Sequence, residues 1–180
     1  MTSFSSYIKD TISTLEQLED DELDRLRDGL RSVHERGGIL WVAGNGGSAS
    51  TASHFVADLS KTLKGFTGKS VRTIALHEMV SLQTAYSNDV NFESGFSSTL
   101  KDYAKSGDGL LILSVSGTSP NLVRAKDQAD EVGIETFAIV GAKGQHLANN
   151  CHAGVVVRSE DFQVVENIHV AIMHWFARTA

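Results

Sequence analysis

Cysteine and proline each occur only once in these 180 residues, and each scarcity excludes something. A lone Cys151 cannot close an intrachain disulfide, so the fold must rest on its core, and a reducing compartment is the natural setting. With Pro120 as the single proline, no proline-rich linker divides the chain. Positive charge is also short, with 16 Lys and Arg against 22 Asp and Glu. That balance argues against nucleic acid as a partner, which normally needs a basic face. It leaves room for an anionic small molecule, because a pocket can be locally positive in an acidic protein. No apolar run approaches the ~20 residues that span a bilayer, so no membrane partner is expected. Met1 to Lys9 shows no basic segment followed by an apolar stretch. No signal peptide is read there, and a cytoplasmic protein is expected. Neither the dinucleotide G-x-G-x-x-G nor the P-loop G-K-[ST] is present, which disfavours a nucleotide.

What is there is an ordinary globular composition, 41% apolar and 21% charged, of a size that suits one domain. From Thr2 to about Gly37 apolar residues recur at three- and four-residue steps, with Tyr7, Ile8, Ile12, Leu15 and Leu18 followed by Leu23, Leu26, Leu30 and Val33. This predicts a helical arm, broken near the acidic run Glu19–Glu22, that either caps its own sheet or packs on another subunit. After it, strands are predicted at Ile39–Ala43, Val71–Leu76, Gly109–Leu113, Thr136–Val140 and Gly154–Val157. Helices are predicted at Ser48–Leu63, Glu78–Ser87, Phe92–Ala104, Asn121–Val132, Gln145–Asn149 and Asp161–Arg178. Strands alternating with helices imply a parallel sheet covered on both faces, with ligands bound outside the carboxyl ends of its strands.

Two glycine- and serine-rich segments fall at such ends. Gly44-Asn45-Gly46-Gly47-Ser48-Ala49 follows the first strand, and Ser114-Val115-Ser116-Gly117-Thr118-Ser119-Pro120-Asn121 follows the third. A strand that ends in such residues and opens a helix presents free N–H groups, hydroxyls and a positive dipole end, which suits phosphate. Two such loops point to one elongated phosphorylated ligand. One hydroxyl, from Ser119 or Thr118, would be enough to cap the following helix. The second loop offers four, at Ser114, Ser116, Thr118 and Ser119.

His54 and Asp58 stand four residues apart on the helix after the first loop, ~6 Å along its axis and on one face. The last helix carries Glu166, His169 and His174 among apolar neighbours. Glu166 and His174 are ~12 Å apart along that axis and ~80° apart around it. His169 reads as a buried structural histidine whose polar atoms are satisfied. His34, His77, His146 and His152 have no informative context in the sequence.

Taken together, these segments resemble the SIS (sugar isomerase) domain. Gly44 to Phe55 is similar to the start of the sedoheptulose 7-phosphate isomerase group, Ser114 to Asn121 resembles the family's S-x-S-G-x-S phosphate loop, and Glu166 to His174 resembles that group's last helix with its two histidines. Asn88-Asp89 falls where the group often has an Asn-Asp pair. The resemblance implies a single SIS domain over residues 1–180, with a helical arm at 1–37 and an α/β core at 38–180. The core would be a three-layer sandwich around a five-stranded parallel sheet. It also implies a homotetramer with active sites shared between subunits.

The activity implied is aldose–ketose isomerisation of a phosphorylated sugar, either sedoheptulose 7-phosphate or a related sugar phosphate used by a side branch. Ser114, Ser116, Thr118 and Ser119 would hold the phosphate, with Asn45, Gly46, Gly47, Ser48, Asn88 and Asp89 around the sugar. Asp58 and His174 would be the catalytic base and acid. His54, Asp58, Glu166 and His174 would form a divalent-metal site, for zinc or a similar ion, with Glu166 and His174 leaning together on one helix or coming from two subunits. The alternative is a metal-free site in which Asp58 and His174 act as a simple acid–base pair, and no organic cofactor is implied. Asp58 stands where the group carries glutamate, Glu166 where it usually carries glutamine, and Lys61 and Thr62 where an arginine is usual. The competing reading is a non-catalytic SIS protein that binds a sugar phosphate or a protein partner as a regulator. Carboxylates and histidines at all four of these positions favour the enzyme.

Overall fold

The computed structural model describes residues 3–63 and 70–179. Two helices, α1 (Phe4–Leu15) and α2 (Asp20–Glu35), precede strand β1 (Leu40–Gly44). The break falls just ahead of the acidic run rather than within it. Asp20, Asp21 and Glu22 form the first turn of α2, where carboxylates complement the positive end of the helix dipole. The two helices also resolve the question of what the arm covers. Leu26, Leu30 and Val33 of α2 are buried in the same core as the strand side chains, whereas Phe4, Ile8 and Ile12 of α1 remain exposed.

Beyond β1 come α3 (Gly46–Ala57), β2 (Thr73–Ala75), α4 (Val80–Asp89), α5 (Gly95–Tyr103) and β3 (Gly109–Ser114). They are followed by α6 (Pro120–Val132), β4 (Glu135–Gly141), α7 (Gln145–Asn149), β5 (Ala153–Val157) and α8 (Phe162–Thr179). The strands form one parallel sheet in the order β2-β1-β3-β4-β5. Alternate strand residues point to opposite faces. Leu40, Val42, Leu111, Leu113, Phe137 and Ile139 pack under α2, α3 and α8, while Trp41, Ala43, Leu110, Ile112, Ala138 and Val140 pack under α5, α6 and α7. A sheet buried on both faces explains why its strands read as continuous apolar runs.

The strand order matters for function. Because β2 and β3 lie on either side of β1, the chain departs from β1 toward one edge and later returns on its other side. The carboxyl ends of β1 and β3 therefore flank the point where the order reverses, the crevice in which open α/β sheets bind ligands. Both glycine–serine loops meet there.

One local departure stands out. The predicted helix from Ser48 to Leu63 is α-helical only to Ala57 and continues as a π turn over Asp58–Thr62. The Leu63 N–H donates to the Asp58 carbonyl, five residues back. Such widened turns cluster at functional sites, and this one starts at a candidate catalytic residue.

Candidate functional site

The first loop turns on Gly46, whose φ of +54° lies in the left-handed region that glycine adopts without strain. Asn45 occupies the N-cap position of α3, yet its side chain makes no capping bond. It instead exchanges two hydrogen bonds with Asn121, Asn45 Nδ2 donating to Asn121 Oδ1 at 2.9 Å and Asn121 Nδ2 to Asn45 Oδ1 at 2.8 Å. This amide pair ties the two loops together across the crevice.

The second loop is shaped by its own hydroxyls. Ser114 Oγ accepts from the Gly117 N–H at 3.0 Å, and Ser116 Oγ accepts from the Thr118 N–H at 3.2 Å. Gly117 has φ +65° and lies against the Gly144 backbone, where a Cβ has no room. Ser119 takes the N-cap position of α6, but its hydroxyl makes no capping bond. The capping role that the sequence allowed for Ser119 or Thr118 is thus not what their hydroxyls do. Ser114, Ser116 and Ser119 line a cavity of about 330 Å³ together with Asn45, Gly46, Gly47 and Ser48. Thr118 is exposed and does not line it.

A second group of side chains lies further along α3. His54 Nε2 is 3.5 Å from Asp58 Oδ2, His174 Nε2 is 3.7 Å from the same oxygen, and the two imidazole nitrogens are 3.5 Å apart. The other carboxylate oxygen, Asp58 Oδ1, accepts from Thr62 Oγ1 across the π turn at 3.2 Å. Both imidazoles are half-exposed and the Asp58 side chain is more buried. The three donor atoms lie within 4.8 Å of one another.

Glu166 is not part of that group. Its carboxylate packs on Gly47, in the place a Cβ there would occupy, and it lines the serine-loop cavity. The reason is helical geometry. α3 and α8 lie side by side, so the ~12 Å between Glu166 and His174 on one helix is matched by the ~10 Å between Gly47 and His54 on the other. The expected quartet of His54, Asp58, Glu166 and His174 is therefore divided into a trio at one end of the α3–α8 seam and a carboxylate at the other.

Asn88 and Asp89 sit in the exposed last turn of α4, with Asn88 Nδ2 donating to Asp89 Oδ1 at 2.8 Å. They line neither of the two cavities beside the loops. His77, which sequence reasoning passed over, does. It lies just past the carboxyl end of β2, its Nε2 is 2.8 Å from Ser53 Oγ, and it lines a cavity of about 470 Å³ that shares Asn45 and Gly46 with the first. Burial lowers its pKa, opposed in part by the charge of Glu78. The available signal was its position just beyond a strand end of a parallel sheet. His169 also departs from expectation: it is fully buried, but neither ring nitrogen has a partner among the described residues. Desolvation pushes its pKa down to about 4.

Residues 3–141 match the SIS domain family. The chain belongs to that family. Among its relatives, a probable phosphoheptose isomerase of Thermoplasma volcanium is 32% identical over 97% of this chain and 88% of its own length. A phosphoheptose isomerase of Citrifermentans bemidjiense is 36% identical over 79% of this chain and 73% of its own. Two solved structures share the SIS fold closely, each with a TM-score of 0.88. The phosphoheptose isomerase of Neisseria gonorrhoeae is 23% identical over 97% of this chain and 95% of its own, and that of Francisella tularensis is 26% identical over 97% and 92%. The five-stranded parallel sheet with helices on both faces is the architecture expected of an SIS domain.

Proposed function

We propose that this SIS protein is an aldose–ketose isomerase acting on a phosphorylated sugar. The observation that carries this reading is the pairing of a hydroxyl-rich loop at the N-terminus of α6, in a cavity also lined by Ser48 of α3 and Glu166 of α8, with a histidine–carboxylate cluster further along α3 and α8. Phosphoheptose isomerases among the relatives support it. The serine loop is assigned the phosphate: Ser114 and Ser116 already accept from loop N–H groups, so their own O–H groups are left to donate to an anion. Asn45, Gly46, Gly47 and Ser48 are assigned to the sugar beside it. Asn88 and Asp89 belong to this assignment only if the chain assembles so that the α4 tip of one subunit meets the crevice of another.

Isomerisation moves a proton between adjacent carbons through an enediol and needs a base at carbon and an acid near the oxygens. Asp58 is assigned as the base. Thr62 holds one of its oxygens and leaves the other facing the imidazoles. His174 is assigned as the acid, with His54 beside it. The two imidazoles and one carboxylate of this trio also have the chemistry to hold zinc or a similar divalent ion. Such an ion, when bound, supplies Lewis-acid polarisation of a substrate oxygen. Glu166 is left outside this ligand set.

The assembly is proposed as a homotetramer, supported by the exposed apolar stripe Phe4, Ile8 and Ile12 on α1. A cytoplasmic setting is proposed from the single cysteine, and no described helix is long and apolar enough to cross a membrane. The decisive test is incubation with a panel of ketose and aldose phosphates of five to seven carbons, followed by NMR. Interconversion of at least one pair is expected. A folded protein that turns over none of them, with or without added zinc, would leave the regulator reading in its place.

A further inference from the structure

The opposite end of the sheet holds a polar cleft of its own. A cavity of about 310 Å³ opens there between the α2–β1 turn, the residue before β2 and the α5–β3 turn, with Arg36, Arg72, Tyr103, Lys105, Ser106 and Asp108 in its lining. Its wall is fixed by hydrogen bonds. Arg36 donates to the Gly107 carbonyl at 2.7 Å, to Ser32 Oγ at 2.9 Å and to Glu135 Oε2 at 2.7 Å, joining the end of α2 to the starts of β3 and β4. Asp108 is buried, and its two carboxylate oxygens accept from three N–H groups. Both carboxylates, of Glu135 and Asp108, are therefore occupied.

Positive charge and donors are left over. The Lys105 ammonium has no partner among the described residues. Arg72 gives one N–H to the Gly37 carbonyl at 2.9 Å and meets no carboxylate among them. The Tyr103 hydroxyl and the backbone N–H groups of Ser106 and Gly107 are unpaired among them too. In a chain of net charge −6, two unmatched cations on one cavity wall make a local field that draws anions. They stand on separate segments, one before β2 and one before β3, so a ligand with two charges can bridge them. We propose that this cleft is an anion site for a compact metabolite carrying two or more negative charges, as phosphate or as carboxylate. It shares no lining residue with the serine-loop cavity, so it stands whether or not that loop binds phosphate. An anion held there links the turn that carries Asp108 to the start of β2, and by binding only the folded chain it stabilises it.

Calorimetric titration of the full chain with pyrophosphate tests the site. The Ser116→Ala, Ser119→Ala double variant, in which the serine loop is disabled, is expected to keep one pyrophosphate site per chain, weakening as salt rises. On that background Lys105→Gln is expected to weaken binding ~10-fold or more, since hydrogen bonds to charged groups are the strong ones. Lys105→Glu reverses the charge and is expected to abolish binding, while Lys105→Arg keeps the charge and the site. The Lys105 side chain makes no hydrogen bond or ion pair among the described residues, so these variants are expected to melt at the wild-type temperature without ligand. Citrate in place of pyrophosphate separates the two sources of charge: Lys105-dependent binding of one alone assigns the site to phosphates or to polycarboxylates. Loss of all pyrophosphate binding in the serine-loop variant would overturn the proposal. So would binding there that Lys105→Glu leaves unchanged.

Discussion

Ser116 and Ser119 carry the most direct prediction at the scale of single residues. Each hydrogen bond to a charged group is worth ~1.5–3 kcal/mol, so Ser116→Ala with Ser119→Ala is expected to weaken sugar-phosphate binding by at least tenfold. Calorimetry on the folded double variant checks this, and unchanged affinity would remove the loop from the site. His169 makes a different prediction. Its imidazole is buried without a partner, and its pKa is about 4 in the folded protein against an ordinary 6.5. Between these values the unfolded chain binds a proton that the folded chain does not. Stability is therefore full above pH ~6.5 and falls as pH drops toward 4, by up to ~1.4 kcal/mol per pH unit from this group. Urea titrations across that window are expected to show the slope, and His169→Phe is expected to lose it. A variant with the wild-type slope would assign the acid sensitivity elsewhere. That position 169 is buried could be read from its apolar neighbours. That its nitrogens meet nothing could not, because partners come from elements distant in the chain.

Among the elements, Asp108 shows how the sheet holds its functional edge from the opposite end. This buried residue precedes β3, and its carboxylate accepts from the Ile39 N–H at 2.7 Å, the Lys105 N–H at 3.0 Å and the Trp41 indole N–H at 3.1 Å. One side chain thus fixes where β1 and β3 begin, and with them the register of the two strands whose far ends carry the loops. Asp108→Ala leaves those donors buried or poorly hydrated and is expected to cost ~3 kcal/mol or more, seen as a lower urea midpoint. A change under ~1 kcal/mol would show that the register holds without it. The extents of β1, β3 and β4 agree with the sequence to within about a residue at each end, since a two-sided buried strand leaves an apolar run that ends at polar turns. β2 is shorter than its apolar run, which continues into a 3₁₀ turn at Leu76–Glu78. The π turn at Asp58 left no such trace, because widening a helix by one residue changes its hydrogen bonds and not its composition.

Across the whole molecule, α1 still has an unpartnered face. Phe4 is 77% exposed and Ile12 49%, a stripe that a second copy of the chain would cover. Light scattering is expected to give a tetramer at micromolar concentration, and Phe4→Ser with Ile12→Lys to shift it toward smaller species. A wild-type monomer would reject the shared-site arrangement. Composition and the alternation of apolar runs with helical spacing were enough to determine an α/β domain with a parallel sheet, and the two loops and the last helix carried its resemblance to SIS domains. Each of those is a local property, written in neighbouring residues. The tertiary structure alone decided the strand order that brings both loops to one crevice, the Asn45–Asn121 pair that joins them, the place of His77 at a neighbouring cavity, and the separation of Glu166 from the His54–Asp58–His174 trio. Those depend on how two helices lie against each other and how distant strands pair. Spacing along a single helix gives the distance between two side chains on it, but not which residue of the next helix each one meets.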